Sequence, residues 1–283
     1  MTGRLRDAAG PQRVRIVGTG RAGGSFARVL ADLGWQVAAP VAHGDDLARV
    51  AEETDLVMLA VPDRTVAAVA AAIESRPDPL VIHVSGSLGL DVLAGHPRRG
   101  SLHPLVSMPD PSTGAARLRS GAWFTTAADD EDGRALLASV VAALGGHGVA
   151  VADEARAAYH AAAVAASNHL VALCGQVERI AAPTGVPLSA FLALAGQTLE
   201  GVATLGPAAA LTGPVRRGDW DTVGRHLEVL DPDERPGYAA LAELAARLVP
   251  EVDVPAWLAA VRAGDPPEPF AEGADPRGDE AVS

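Results

Sequence analysis

Cysteine, aromatic residues and positive charge are all scarce in this 283-residue chain. A single cysteine, Cys174, cannot form an internal disulfide, and no Cys/His cluster has the spacing of a zinc site, so we expect a reducing compartment and no bound metal. Four Phe, four Trp and two Tyr offer few stacking surfaces, and the formal net charge is −12. Nucleic-acid binders need clustered Lys and Arg, so we expect no nucleic-acid partner.

Long hydrophobic runs are missing as well. The longest Ala/Val-rich run, residues 157–166, is shorter than the roughly 18 apolar residues that a membrane span requires. Residues 1–12 are charged and lack the apolar core of a signal peptide. We therefore expect a flexible N-terminus at 1–12 and a cytoplasmic protein with no membrane partner.

Short runs of Val, Ile and Leu alternate with Ala-rich stretches through the first half of the chain. Strands alternating with helices are typical of a parallel, doubly wound sheet. The sequence thus predicts an α/β domain of the Rossmann type at residues 13–152. The pattern predicts strands at 14–17, 35–41, 56–61, 80–84, 100–103, 122–126 and 148–151, and helices at 22–33, 46–52, 64–74 and 131–144.

Helical patterns dominate after residue 152. They predict an all-α C-terminal domain at residues 153–263, which begins with a long helix at 153–182. Residues 264–283 are rich in Pro, Gly and acidic residues and are predicted to form a disordered tail.

A glycine motif, G-T-G-R-A-G, follows the first predicted strand and begins the first predicted helix. In a dinucleotide-binding turn the first glycine allows the tight bend, the second lets pyrophosphate approach the backbone, and the third lets helix and strand pack closely. The phosphates then meet the positive end of the helix dipole. We predict a nicotinamide dinucleotide site that includes Gly18, Thr19, Gly20, Arg21, Ala22 and Gly23.

The end of the second predicted strand bears on the choice between NAD and NADP. NAD sites usually have Asp or Glu there to hold the ribose hydroxyls, whereas this chain reads A-A-P-V-A-H at 38–43. NADPH is favoured, because no carboxylate repels a 2′-phosphate and His43 can donate to one. Two alternatives stay open: His43 is a solvated loop residue, or Asp45 or Asp46 takes the role of the acid and the cofactor is NAD.

Later strand ends should face the same ligand crevice. The motif L-A-V-P-D at 59–63 brings Ala60, Val61 and Pro62 near the nicotinamide half of the cofactor. The motif H-V-S-G-S at 83–87 makes Ser85 and Ser87 the first candidates on the substrate side.

Histidines supply further candidates for the chemistry. His103 lies in S-L-H-P at a predicted strand end, where it is either functional or a loop-capping residue. Tyr159, His160 and Asn168 lie on the long predicted helix, where 160, 164, 167 and 168 share one face. Such polar groups need partners if buried, in either an active-site crevice or a helix–helix contact.

A third cluster, L-T-G-P-V-R-R-G-D at 211–219, combines a hydroxyl with two positive charges. Thr212, Arg216 and Arg217 could bind an anionic substrate. Equally, this segment could be a surface connection with solvated arginines.

Taken together, these motifs make the chain resemble a Rossmann-like family whose C-terminal half is the domain of unknown function 2520. The resemblance implies kinship with pyrroline-carboxylate, ketopantoate and deazaflavin-linked reductases. It also implies a C-terminal domain like that of 6-phosphogluconate dehydrogenase, and a homodimer formed with the help of that domain. The residues that carry it are 18–24, 59–63, 83–89, 101–105, 159–168 and 211–219.

Family context implies the reduction of a small 2-oxo acid, 2-dehydropantoate to pantoate, in pantothenate biosynthesis. His160 or His103 would protonate the carbonyl oxygen, since ketopantoate reductases use a lysine and a glutamate that have no clear counterpart here. Two alternatives stay open: a cyclic imine reductase, and a non-catalytic NADP-binding sensor or scaffold. The remaining roles would be orientation of the carbonyl by Ser85, Asn168 and Thr212, and binding of the carboxylate by Arg216 or Arg217.

Overall fold

The computed structural model describes residues 12–265. The predicted flexible N-terminus and disordered tail therefore lie outside the described residues, apart from Gln12, Gly264 and Asp265. Contacts divide the chain into two compact units, which meet in sequence between Asn168 and His169.

A seven-stranded sheet forms the first unit, in the order β2-β1-β3-β4-β5-β6-β7. Neighbouring strands are parallel except for the pair β5 and β6, so the predicted α/β sheet is confirmed as mostly parallel. The strands are β1 (Arg13–Val17), β2 (Gln36–Val37), β3 (Leu56–Leu59), β4 (Leu80–His83), β5 (Arg99–Pro104), β6 (Trp123–Ala128) and β7 (His147–Ala150).

Five helices accompany this sheet: α1 (Arg21–Asp32), α2 (Asp63–Ala72), α3 (Pro111–Leu118), α4 (Glu131–Ala143) and α5 (Arg156–Val164). The described part of the second unit is helical throughout, as its composition predicted. Its helices are α6 (Leu170–Ala181), α7 (Leu188–Leu205), α8 (Pro207–Ala210), α9 (Gly213–Arg216), α10 (Trp220–Val229), α11 (Arg235–Ala246) and α12 (Ala256–Ala263).

The hydrophobic core of the first unit has two layers, one on each face of the sheet, because successive side chains of the buried strands point to opposite faces. Leu56 and Met58 pack into one cluster with Phe26 of α1, while Val57 and Leu59 pack into another with Val66 of α2. Successive side chains of a strand point to opposite faces, so a continuous apolar run fills both layers. This packing on both faces fixes the positions of the strand ends that carry polar residues.

The predicted helix at 46–52 is wrong. The chain makes tight turns there, in which the N–H groups of Val50 and Glu52 donate to carbonyls three residues earlier. The Asp46 carboxylate accepts the N–H of Ala48, and Glu53 has a φ of +49°. A side chain that bonds the nearby backbone competes with helix formation, which explains the difference.

Strand β6 runs antiparallel to β5, which the alternation of elements did not indicate. The connecting segment contains α3, a helix absent from the sequence prediction. Its start has a recognisable signal: Asp110 caps it by accepting the N–H groups of Ser112 and Thr113, and Pro111 occupies its first turn. Helix α3 packs on α1, so the chain re-enters the sheet from the edge at which it left.

The long helix predicted at 153–182 is interrupted. A 3₁₀ turn precedes α5, and a π-helical turn at Ala165–His169 separates α5 from α6. A π turn takes up an extra residue and shifts the register of side chains that follow it. The first unit extends past the predicted boundary at residue 152 because Arg156 of α5 hydrogen bonds to Ser101 of β5.

Helix α7 is the one described helix long and apolar enough to cross a membrane, with a mean hydropathy of 1.3 and none of its residues buried. A single helix of this kind is weak support for a membrane span, since helices of soluble proteins pass the same test.

We expect Gly23→Ala to lower stability by more than about 2 kcal/mol, because the added Cβ collides with the carbonyl oxygen of Gly18. Alanine within a helix normally stabilises by about 0.5–1 kcal/mol, so a loss would be diagnostic of this contact. Gly20→Ala is the control, because its Cβ meets nothing within 4 Å. Urea unfolding of both variants measures the effect, and equal stabilities would contradict it.

Candidate active site

The turn between β1 and α1 brings three chain segments into close contact. Gly18 has a φ of +109°, and a Cβ there would collide with the carbonyl group of Ala60. A Cβ on Gly23 would collide with Gly18 itself. Gly20 is different, because a Cβ there would enter empty space. The backbone at Gly20 is therefore open to a ligand.

This opening lies at the N-terminus of α1. Thr19, Gly20 and Arg21 are exposed and Ala22 is half-buried. No side chain caps the helix, and its first turn contains no acidic residue. The unpaired N–H groups and the positive end of the helix dipole favour an anion such as phosphate here.

The end of β2 lies beside this turn. Gly18 donates its N–H to the carbonyl of Val41 at 2.9 Å, and the exposed His43 follows two residues later. The carboxylate of Asp45 accepts the N–H of Ala42 at 2.7 Å, and that of Asp46 accepts the N–H of Ala48 at 3.0 Å. Both acids thus hold the loop in shape, while the His43 side chain extends into solvent.

The end of β3 lies on the other side of the glycine turn. Ala60 donates its N–H to the carbonyl of Val17 at 2.8 Å, and Val61 lies beside Gly18. Pro62 precedes α2 and is exposed, as is Asp63 at the first position of that helix. The predicted cofactor-binding segments at 18–23 and 60–62 therefore meet at one edge of the sheet.

Ser85 and Ser87 both donate their hydroxyls to one carboxylate oxygen of Asp63, each at 2.7 Å. The Ser85 oxygen also accepts the N–H groups of Ser87 and Leu88. These bonds tie the loop after β4 to the start of α2, so the Ser85 proton is engaged within the protein. Asp63, which the sequence analysis did not select, organises this loop.

Two histidines converge on the same loop. His103 of β5 and His160 of α5 approach edge to face with ring centroids 6.0 Å apart. A Cβ on Gly86 would lie within 2.9 Å of both rings, so only glycine leaves room for them. Nδ1 of His103 lies 2.7 Å from the hydroxyl of Tyr159. The structure thus brings together the two predicted proton donors and adds Tyr159 and Gly86.

Burial controls the charge of these groups. It lowers the pKa of His103 to about 4, with further lowering by His160 and Arg156 that Asp63 partly opposes. The pKa of His83, the last residue of β4, also falls to about 4, first through burial and then through Arg156. Both imidazoles are neutral at pH 7, contrary to the expectation of a histidine that titrates near neutrality.

Asn168 is not in this cluster. It is exposed at the π-helical turn, where its side-chain oxygen accepts the Ser167 hydroxyl at 2.9 Å. The expected shared face with His160 assumed a regular helix, and the π turn at 165–169 changes that register.

The remaining predicted residues belong to the second unit. Thr212 is exposed at the start of α9. Arg216 pairs with Glu251 at 2.9 Å, and Arg217 lies 3.9 Å from Asp219. Each of these arginines therefore has an acidic neighbour in its own unit.

Arg156 is a buried residue that the sequence analysis missed. Its side chain is 2% exposed and contacts Asp153 and Ser101. A signal was present, because Arg156 precedes Tyr159 and His160 by three and four residues and so shares their helix face. Within residues 12–265 no three His, Cys, Asp or Glu side chains form a group that could hold a metal ion.

Solved structures share this fold over most of the chain. A Bacteroides fragilis protein assigned as an NADP oxidoreductase is 21% identical, with a TM-score of 0.71 over 84% of this chain and 98% of its own. A Thermotoga maritima protein is 24% identical, with a TM-score of 0.61 and the same coverage. Pyrroline carboxylate reductase from Plasmodium falciparum, solved with NADP bound, is 11% identical, with a TM-score of 0.57 over 84% and 98%.

Family models match both halves of the sequence, whereas a comparison with curated proteins found no match. Residues 4–109 match a Rossmann-like domain, and residues 122–245 match DUF2520, a domain of unknown function. These matches confirm the resemblance drawn from the motifs. The two matches lie side by side along the chain, with residues 110–121 between them.

Proposed function

We propose that this protein is an NADPH-dependent oxidoreductase that reduces a small 2-oxo acid. One observation carries the proposal: the open helix N-terminus at Gly20 and the paired imidazoles at Gly86 lie at the same edge of one mostly parallel sheet. That edge is where doubly wound sheets bind nucleotides.

NADPH is the proposed cofactor. The carboxylates of Asp45 and Asp46 each accept a hydrogen bond from a backbone N–H group. The exposed His43 side chain would donate to the 2′-phosphate of NADPH. A fold neighbour, the pyrroline carboxylate reductase from Plasmodium falciparum, was solved with NADP. When bound, the cofactor supplies the hydride.

His103 is the best placed residue to act on the substrate oxygen. Its Nδ1 is held by the hydroxyl of Tyr159, so the ring edge that carries Nε2 is directed to Gly86. His160 meets Gly86 through Nδ1, an atom that has no hydrogen-bond partner within residues 12–265. Nδ1 of His160 is buried against Gly86, so the proposed contact with a substrate carbonyl oxygen is assigned to His103.

The substrate proposed from the family resemblance is 2-dehydropantoate. Ser87 lies beside Gly86 and is half-buried, so it is retained as a substrate contact. Ser85 is assigned instead to holding the loop, because its hydroxyl donates to Asp63 and its oxygen accepts the N–H groups of Ser87 and Leu88. The Ser87 hydroxyl also donates to Asp63, so Ser87 would meet the substrate as an acceptor. The roles predicted for Asn168, Thr212, Arg216 and Arg217 stay predictions from the sequence, because Asn168 lies outside the histidine cluster and each arginine has an acidic neighbour in its own unit.

Reduction of a cyclic imine is the second candidate, and the low pKa of His103 favours it. At pH 7 only about one in a thousand His103 side chains is in the protonated, imidazolium form. An iminium substrate already carries its proton and needs no general acid, whereas a keto acid needs one.

We expect the purified protein to oxidise NADPH, followed at 340 nm, with 2-dehydropantoate in a panel of 2-oxo acids and cyclic imines. His103→Gln should lower kcat by about 10²-fold or more while the Kd for NADPH stays within about twofold, because general acids contribute about 10²–10⁴. His160→Gln tests the other ring in the same way. NADPH binding without turnover on any substrate would instead support the sensor alternative.

The pH dependence separates the two reactions. If protonated His103 donates to a keto acid, kcat/KM should rise about tenfold for each pH unit from 7 down to about 5, and level off near 4, because the protonated fraction rises in that range. His103→Gln should abolish the rise. A keto-acid rate that does not change between pH 7 and 5 would contradict this role.

A homodimer is also proposed, because α7 carries an apolar surface that the described residues leave uncovered. Monomeric proteins rarely expose large contiguous apolar patches. The exposed leucines of this helix are Leu192, Leu194, Leu199 and Leu205.

We expect dimers in sedimentation at micromolar concentration, and Leu199→Glu should dissociate them because a charge replaces apolar contact area. Leu244→Glu is a matched control, since Leu244 of α11 is 53% exposed and Leu199 is 55% exposed. A monomeric wild-type protein would contradict the dimer, and co-sedimentation with lipid vesicles would indicate a membrane contact instead.

A further inference from the structure

Arg156 is a charged residue buried at the start of α5, with 2% of its side chain exposed. Its Nε donates to Asp153 at 2.7 Å, and its Nη2 donates to the hydroxyl of Ser101 at 2.6 Å. Its Nη1 is buried without a hydrogen-bond partner among residues 12–265. Burying a charge that is incompletely hydrogen bonded lowers the stability of the folded protein. A role of this guanidinium in the site would account for that cost.

The partners of Arg156 connect three elements of the first unit. Ser101 lies on β5 two residues before His103, so both side chains are on the same face of the sheet. Asp153 also accepts the N–H of Leu90, just beyond β4, at 3.2 Å. The guanidinium therefore fastens α5 to β5 and to the segment that follows β4.

Because Arg156 holds α5 in place, it also sets the positions of the residues that follow it on the same face of that helix. Tyr159 and His160 follow Arg156 by three and four residues, so all three side chains leave α5 on one face. Tyr159 reaches Nδ1 of His103, and His160 reaches Gly86. A rotation of α5 would move both contacts at once.

We propose that Arg156 is a positioning residue for the proposed reaction: it holds α5 in the register that brings Tyr159 to His103 and His160 to Gly86. The inference rests on the proposed function and deepens it, because it explains how the two rings are set at the substrate position. Arg156 itself contacts neither substrate nor cofactor in this proposal.

The charge of Arg156 has a second effect on the same site. His103 is faced by His160 and Tyr159 from α5, by Asp63 from α2 and by His83 from β4, as well as by Arg156. Burial is the first cause of its lowered pKa, followed by His160, while Asp63 opposes the shift and Arg156 supports it. Loss of the guanidinium charge should therefore raise the pKa of His103.

Three variants separate position from charge. Arg156→Met removes both the charge and the hydrogen bonds. Arg156→Lys keeps the charge but cannot bond Asp153 and Ser101 at once. Ser101→Ala keeps the charge but removes the hydrogen bond to β5. Arg98→Met is the matched control, because Arg98 forms a half-buried ion pair with Asp130 just before β5.

Two measurements are made on each full-length protein: turnover with NADPH, and NMR titration of ¹³C-labelled histidine with His103 assigned through His103→Gln.

We expect Arg156→Met to raise the pKa of His103, because the guanidinium charge is one of the causes that lower it. Arg156→Lys and Ser101→Ala should leave that pKa near 4 but perturb the His103 resonance. All three should lower kcat by about 10²-fold with little change in the Kd for NADPH, because a displacement of about 1 Å costs that much. Arg98→Met should change neither reading.

A folded Arg156→Met with wild-type kcat and an unchanged His103 titration would overturn the proposal. If that variant does not fold, wild-type kcat and an unperturbed His103 resonance in both Arg156→Lys and Ser101→Ala would overturn it. If wild-type protein turns over no substrate on the panel, the proposed function fails alone, and the histidine titrations still decide whether Arg156 sets the state of His103.

Discussion

Gly23 packs against the carbonyl of Gly18, and Gly18 against that of Ala60, so closely that no side chain fits at either position. This contact sets the distance between α1 and the ends of β1 and β3. The N-terminus of α1 is then held at the sheet edge with its N–H groups uncapped, and Gly20 leaves the space before it open. A ligand that bears phosphate can use this arrangement only because the two closed contacts are in place.

A third close approach, at Gly86, extends the same principle along the sheet edge. Here the missing Cβ admits two imidazole rings, from β5 and from α5, rather than a backbone segment. Asp63 then fixes the loop on which Gly86 lies, through the hydroxyls of Ser85 and Ser87. Side chains that are rigidly held in this way need little reorganisation when a reacting group arrives, which is the advantage of a preorganised site.

The sequence predicted what depends on local pattern and missed what depends on contacts distant in sequence. Strands such as Leu80–His83 follow from apolar runs, and the contacts of Gly18 and Gly23 follow from motif spacing. By contrast, turns replaced the helix at 46–52 because Asp46 bonds the backbone, and the direction of β6 depends on where α3 packs. The pairing of His103 with Tyr159, 56 residues apart, and the burial of Arg156 also depend on tertiary contacts.

Neutral histidines beside a buried guanidinium are consistent with one electrostatic arrangement. Burial penalises the charged imidazole of His83 and His103, while arginine keeps its charge because its pKa is far above neutrality. The permanent positive charge of the site is then carried by Arg156, while the imidazoles of His83 and His103 stay uncharged. A fixed charge in a protein interior is weakly screened, so in the proposed reaction it would favour the negative charge that develops on a carbonyl oxygen.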